Sequence, residues 1–202
     1  MSPHTHIITD VAASSHGHPG HLTASRRRAL GTMGALLAGG LAGCASGPQV
    51  EDYAREQPPF DLRGFFDGQL TGRGIFFDRS GRVVKRFLVE MTGRWQGREG
   101  TLDERFTYSD GSTSTRLWRL SDLGQGRWRG RADDVIGDAD GRSAGNAFQW
   151  RYTLALPVDG RTWHVALDDW MFRVDERTVL NRSRMSKFGL DLGELVLDIR
   201  RS

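Results

Sequence analysis

From Phe60 to the C-terminus, apolar and polar residues alternate with a period of two, in runs broken by turns rich in Gly and Asp. That is the pattern of antiparallel strands that each bury one face. Gln69 to Phe77 turns at Asp78-Arg79-Ser80-Gly81 into Arg82 to Met91, where Val83, Phe87, Val89 and Met91 share a face with Lys85. In Thr101 to Tyr108, Leu102, Phe106 and Tyr108 share a face with Glu104. Thr115 to Leu120 continues the alternation, and Arg127 to Ala132 sets Trp128, Gly130 and Ala132 opposite Arg127, Arg129 and Arg131. The clearest strand runs from Phe148 to Leu156, with Phe148, Trp150, Tyr152, Leu154 and Leu156 on one face, and turns through Pro157-Val158-Asp159-Gly160 into Thr162 to Val174. Arg177 to Phe188 and Glu194 to Arg200 close the set. The period of two and the short turns predict an all-β fold, an antiparallel up-and-down, lipocalin-like β-barrel of roughly eight to ten strands over residues 60–202.

Ahead of this domain the pattern changes. Residues 1–24 are polar and have no hydrophobic period. Ser25-Arg26-Arg27-Arg28 then precedes the apolar Ala29 to Leu41, an order that reads as a bacterial export signal. As a helix that apolar stretch would rise only ~20 Å, short of a ~30 Å hydrocarbon core. The paired arginines resemble a twin-arginine signal, with Sec export as the alternative. The segment ends in Leu41-Ala42-Gly43-Cys44, which resembles a lipoprotein lipobox and accounts for the single cysteine of the chain. Residues 1–43 are therefore expected to be a cleaved signal peptide, and Cys44 the site of lipidation by acyl chains such as palmitate. Two or three such chains hold a protein to a membrane effectively permanently. Residues 44–59 are polar and proline-bearing, and are expected to be a flexible tether spanning up to ~50 Å. Ala45, rather than Asp, after the cysteine favours an outer-membrane lipoprotein facing the periplasm.

The chain has 202 residues, and cleavage would leave 159 with a formal charge near neutral, because three arginines and Asp10 go with the signal. Basicity then gives no argument for a nucleic-acid partner. Five of the six histidines lie within residues 1–24, leaving His164 alone in the domain. Cysteine nucleophiles, His-rich metal sites and Ser-His-Asp triads are poorly supplied, no phosphate loop follows a strand, and no cofactor is expected.

Asp168 and Asp169 are the unusual pair. Neighbours in a regular strand point to opposite faces, so they would act together only across a bulge. One is expected to be exposed or paired with Arg173 or Arg182, and the other to cap backbone N–H groups at that bulge. Asn181, Ser183 and Lys187 share a face with Val179 and Met185, and such inward polar groups suit a ligand's head group or a solvated rim equally. Asp168, Asp169, Trp170, Asn181, Arg182 and Lys187 are the candidate ligand-binding residues. The six tryptophans are expected mostly in the core.

Several blocks resemble an uncharacterised family of Gram-negative lipoproteins, domain of unknown function 3833: Asp52-Tyr53, Phe60-Asp61-Leu62, Thr101-Leu102-Asp103-Glu104, Ala155 through Gly160, Asp168-Asp169-Trp170-Met171, and Asp175 through Gly189. The resemblance implies a lipocalin-like lipoprotein and supplies no catalytic residues. Members of that family are often encoded beside lipid-modifying enzymes such as cyclopropane fatty-acid synthases, which implies lipid handling. The expected function is binding or carriage of an apolar ligand, such as a fatty acid or modified lipid. The alternatives are an envelope assembly protein with a packed barrel and, last, an enzyme using Asp168 or Asp169.

Overall fold

The computed structural model describes residues 47–158 and 160–202. The expected signal peptide, lipobox and Cys44 lie outside the described residues, as does Asp159 of the expected turn. A 3-10 turn at Val50–Tyr53 and a short helix α1 at Leu62–Phe66 precede ten strands. These are β1 Gly68–Asp78, β2 Val83–Gln96, β3 Glu99–Tyr108, β4 Thr113–Gly124, β5 Arg127–Arg131, β6 Ala139–Ala144, β7 Ala147–Val158, β8 Arg161–Arg173, β9 Thr178–Lys187 and β10 Leu190–Arg201. Each pairs antiparallel with its neighbours in sequence, and β1 pairs with β10, so the sheet closes into an up-and-down barrel. Closure leaves no sheet edge open.

The alternation read from the sequence becomes the inside and outside of this barrel. Trp150 lies opposite Asp169, and Arg151 opposite Asp168, in an unbroken β7–β8 register. Phe148, Trp150, Tyr152, Leu154 and Leu156 are all buried, which fixes the inward face of β7. The sequence pattern missed β6, whose residues are small and polar. Its Gly141 shows why: a Cβ there would lie 2.7 Å from the Trp150 ring, 2.8 Å from Phe148 and 2.9 Å from Trp128 Cβ. Three aromatic neighbours fill the volume that a β6 side chain would otherwise occupy, so this strand carries no hydrophobic signal of its own.

Alternate connections of a meander lie at opposite ends, and the two ends here differ. At the end bearing the β2–β3, β4–β5, β6–β7 and β8–β9 connections, α1 forms a plug. Phe60, Leu62, Phe65 and Phe66 are each 4% exposed or less, and the Phe66 carbonyl sits so close to Gly93 of β2 that any Cβ would strike it. Arg201 Nη1 clamps the helix by donating to the Gly64 carbonyl at 2.7 Å. Each of these side chains contributes about 1.5–3 kcal/mol through burial. At the other end, β5 and β6 stop short, and residues 132–138 fill the gap between β4 and β7. Val135 bridges to Leu154, and Ile136 N–H donates to the Thr153 carbonyl at 2.8 Å.

The expected tether is shortened by the structure. Val50 is 2% exposed, the 3-10 turn packs on β6 and β7, and Tyr53 makes edge-on contacts with Trp170 and Phe172. Polar composition concealed this docking because its apolar contacts come from Val50 and Tyr53, with Glu51 adding an ion pair to Arg142 of β6.

Candidate functional site

The barrel encloses a cavity above α1 with about 150 Å³ open to water-sized molecules. Its wall is mainly aromatic and aliphatic. Trp118 of β4 stacks on Trp150 of β7, with centroids 6.1 Å apart and planes at 10°, and meets Tyr152 edge-on at 5.4 Å. Phe66 and Leu62 form part of the floor.

Polar groups from five strands interrupt this wall. Glu104 of β3 faces Arg116 of β4 directly across the ladder. Arg116 turns to the 132–138 connection, where its Nε and Nη2 donate to Asp134 Oδ2 at 3.2 and 2.7 Å. On the opposite wall, Asp169 of β8 accepts from Tyr152 Oη at 3.1 Å and from Asn181 Nδ2 at 2.7 Å. Tyr108 Oη and Ser114 Oγ share a hydrogen bond of 2.9 Å. Two oxygens of this group, Glu104 Oε2 and Asp134 Oδ1, are covered by protein and have no hydrogen-bond partner, and of the two residues Glu104 borders the cavity.

Burial sets the charge states. It raises Glu104 to about 7 against the pull of Arg116, with Asp169 and Asp134 adding to the rise. Glu104 as a whole is partly buried and borders the cavity, with its Oε2 covered by protein. Desolvation also raises Asp169, opposed by its bonds from Asn181 and Tyr152. It raises the Tyr152 phenol well above its ordinary range too, reinforced by the charge of Asp169. Burial opposes the charge of Arg116 more than any one neighbour supports it, but Asp134, Tyr152 and Glu104 together outweigh it and the guanidinium stays protonated. A buried acid near neutrality can donate or accept a hydrogen bond at physiological pH, which an ordinary carboxylate cannot.

The candidate residues read from the sequence separate. Asp169 and Asn181 line the cavity. Asp168, Trp170 and Arg182 lie on the outer surface, since register alternates without interruption along β8 and β9. No bulge occurs at Asp168 and Asp169, contrary to expectation; register shifts fall instead at Phe76/Phe77, Asp122/Gly124 and Asp191/Gly193. Asp168 pairs with Arg151 at 3.5 Å and accepts from Gln149 and Trp170. Neither Arg173 nor Arg182 meets the pair. Arg173 donates to backbone carbonyls, including that of Pro59, and Arg182 binds Glu194 at 2.7 Å. Lys187 stands at the unplugged end with its ammonium 3.5 Å from the centre of the Trp163 ring. His164 is exposed on the outside of β8.

Arg116, Tyr152 and Asp134 were not singled out as polar site residues in the sequence. Arg116 carried a signal, because it shares the inward face of β4 with Ser114, Trp118 and Leu120. Asp134 carried none, since it lies in a connection whose path depends on short neighbouring strands. Among the described residues no cluster of three or more His, Cys, Asp or Glu is placed to hold a metal ion.

The comparisons agree with this architecture. The crystal structure of Rv2717c from M. tuberculosis is similar at 17% identity, covering 68% of this chain and 92% of that one with a TM-score of 0.51, a likeness that shows the fold. A search of curated proteins finds no match. The family model described as "Protein of unknown function (DUF3833)" matches residues 38–201, so the chain belongs to that family.

Proposed function

We propose that this protein binds a small apolar ligand inside its barrel. The observation that carries the reading is the aromatic-walled cavity, plugged at one end by α1 and containing a few convergent polar groups, the usual make-up of a ligand site. A barrel of this size is either filled by its own side chains or left hollow, and a hollow one suits a carrier. Lipidation at Cys44 and residence at the periplasmic face of the outer membrane fit the same role. Val50 is buried against the barrel, and six steps of chain from a lipidated Cys44 span at most ~20 Å, which supports an orientation with the plugged end towards the bilayer. The test is a titration of the full-length processed protein with the neutral aromatic 2-phenylethanol, followed by tryptophan emission. Saturable change that is lost in Trp118→Phe supports the proposal. A strictly linear response in the wild type contradicts it.

A second reading, docking to another envelope component, is favoured by the β9–β10 turn, where Phe188 is 93% and Leu190 71% exposed at the unplugged end. Loss of a crosslinked partner in Phe188→Ser, with ligand binding intact, would support it. An unchanged crosslinking pattern would remove it.

A further inference from the structure

We propose that the cavity discriminates among apolar ligands by their polar group, taking a molecule that carries a protonated amine, a hydroxyl less tightly, and rejecting the matching carboxylate. This rests on the ligand-binding reading above and names the ligand class.

Two carboxyls, Glu104 and Asp169, line the cavity. The cation among the described lining residues, Arg116, is already engaged, with two of its N–H groups on Asp134 Oδ2. An entering carboxylate would therefore meet two acids and a guanidinium whose charge Asp134 already balances, in a low-dielectric space where like charges repel strongly. The lysines near the unplugged end do not change this. Lys85 is bound to Asp110 at 2.9 Å, Lys187 rests on Trp163, and neither borders the cavity.

Hydrogen-bonding capacity points the same way. Asp169 has a donor on each oxygen, from Tyr152 and Asn181. The Glu104 carboxyl is approached by the Trp118 indole N–H, yet its Oε2 has no partner although it is fully covered. A buried acceptor without a donor costs free energy in the empty protein, and a ligand N–H or O–H removes that cost. The terminal torsion of a glutamate is soft, so the carboxyl can turn Oε2 towards the cavity without leaving its rotamer. The groups that set the charge at this point are Glu104 itself, Arg116 on β4, Asp134 on the connection, Tyr108 on β3, Tyr152 on β7 and Asp169 on β8. With Arg116 cancelling Asp134, the remainder is acidic. A protonated amine both neutralises it and donates to Glu104, a charge-assisted bond that a hydroxyl only partly reproduces.

The experiment is a ligand-observed NMR titration of the full-length processed protein at pH 7.5 with three compounds of one shape: 2-phenylethylamine, 2-phenylethanol and phenylacetate. The expected order is amine, alcohol, carboxylate, with the amine bound on the order of a hundredfold more tightly than phenylacetate. In Glu104→Gln, with the fold verified by far-UV circular dichroism, the amine-to-carboxylate ratio is expected to fall on the order of tenfold or more. Phenylacetate binding as tightly as the amine in the wild type overturns the inference while leaving ligand binding itself intact. So does an unchanged ratio in a folded Glu104→Gln. Absence of saturable binding by all three overturns the ligand-binding reading, and this inference falls with it.

Discussion

At the scale of single residues, Glu104 links site chemistry to stability. Its carboxyl, raised to about 7 from an ordinary value of 4.5, binds its proton more tightly folded than unfolded. The stability contributed by that proton is fully present below about pH 4.5 and lost as pH rises through about 7. The loss is on the order of 3 kcal/mol if the whole shift is expressed. Glu104→Gln should flatten the fall in stability between pH 5 and 7.5 and be the more stable protein at pH 8, as denaturant melts across that range would show. Asp169, also raised by burial, contributes a loss of stability of the same sign as pH rises through its folded value. Phe188 is a second informative residue. It sits at φ 53° beside Gly189 at φ 77° in the two-residue β9–β10 turn, a conformation that favours Asn-Gly over an aromatic residue. Replacing Phe188 by Asn should stabilise the fold by about 1 kcal/mol. A destabilised Phe188→Asn in thermal melts would mean that the exposed ring makes a contact the fold depends on.

At the scale of elements, the sequence told most where burial is written in large side chains. The alternation in Phe148 to Leu156 gave β7 and its inward face, and Trp150→Ala should cost about 3–5 kcal/mol in denaturant melts. Where burial is delegated to a neighbour, the pattern fell silent. Strand β6 packs through Gly141 beneath the rings of Trp150 and Phe148, so Gly141→Ala should destabilise by about 1–3 kcal/mol through overpacking. A neutral Gly141→Ala would mean that those rings shift freely and that the barrel wall is looser than its contacts indicate. The plug α1 was hidden for a different reason. Five residues are too few to show a helical period, although Phe60, Leu62, Phe65 and Phe66 are among the most buried side chains of the protein. The polar site was half legible. Glu104 and Asn181 stood out as polar residues on apolar faces, whereas the Asp168-Asp169 doublet drew attention as a pair and turned out to be split by an unbroken strand. Adjacency in sequence is separation across a sheet unless a bulge intervenes.

At the scale of the whole molecule, the two ends of the barrel divide the work. One end is closed by α1, with the 3-10 turn at Val50–Tyr53 packed against the neighbouring outer wall of β6 and β7. The other bears the 132–138 connection, Lys187 on Trp163 and the exposed Phe188. Between them lies an apolar cavity whose acidic polar groups come from strands far apart in sequence, an arrangement that only barrel closure creates. The central claim is that this cavity is occupied in the cell. It is tested most directly by native mass spectrometry of the protein purified from its own host, followed by solvent extraction and identification of what is released. The account predicts one bound molecule per chain, apolar in its body and carrying an amine or hydroxyl. A protein whose mass equals that of the polypeptide with its covalent modifications alone, with nothing released on extraction, would contradict it.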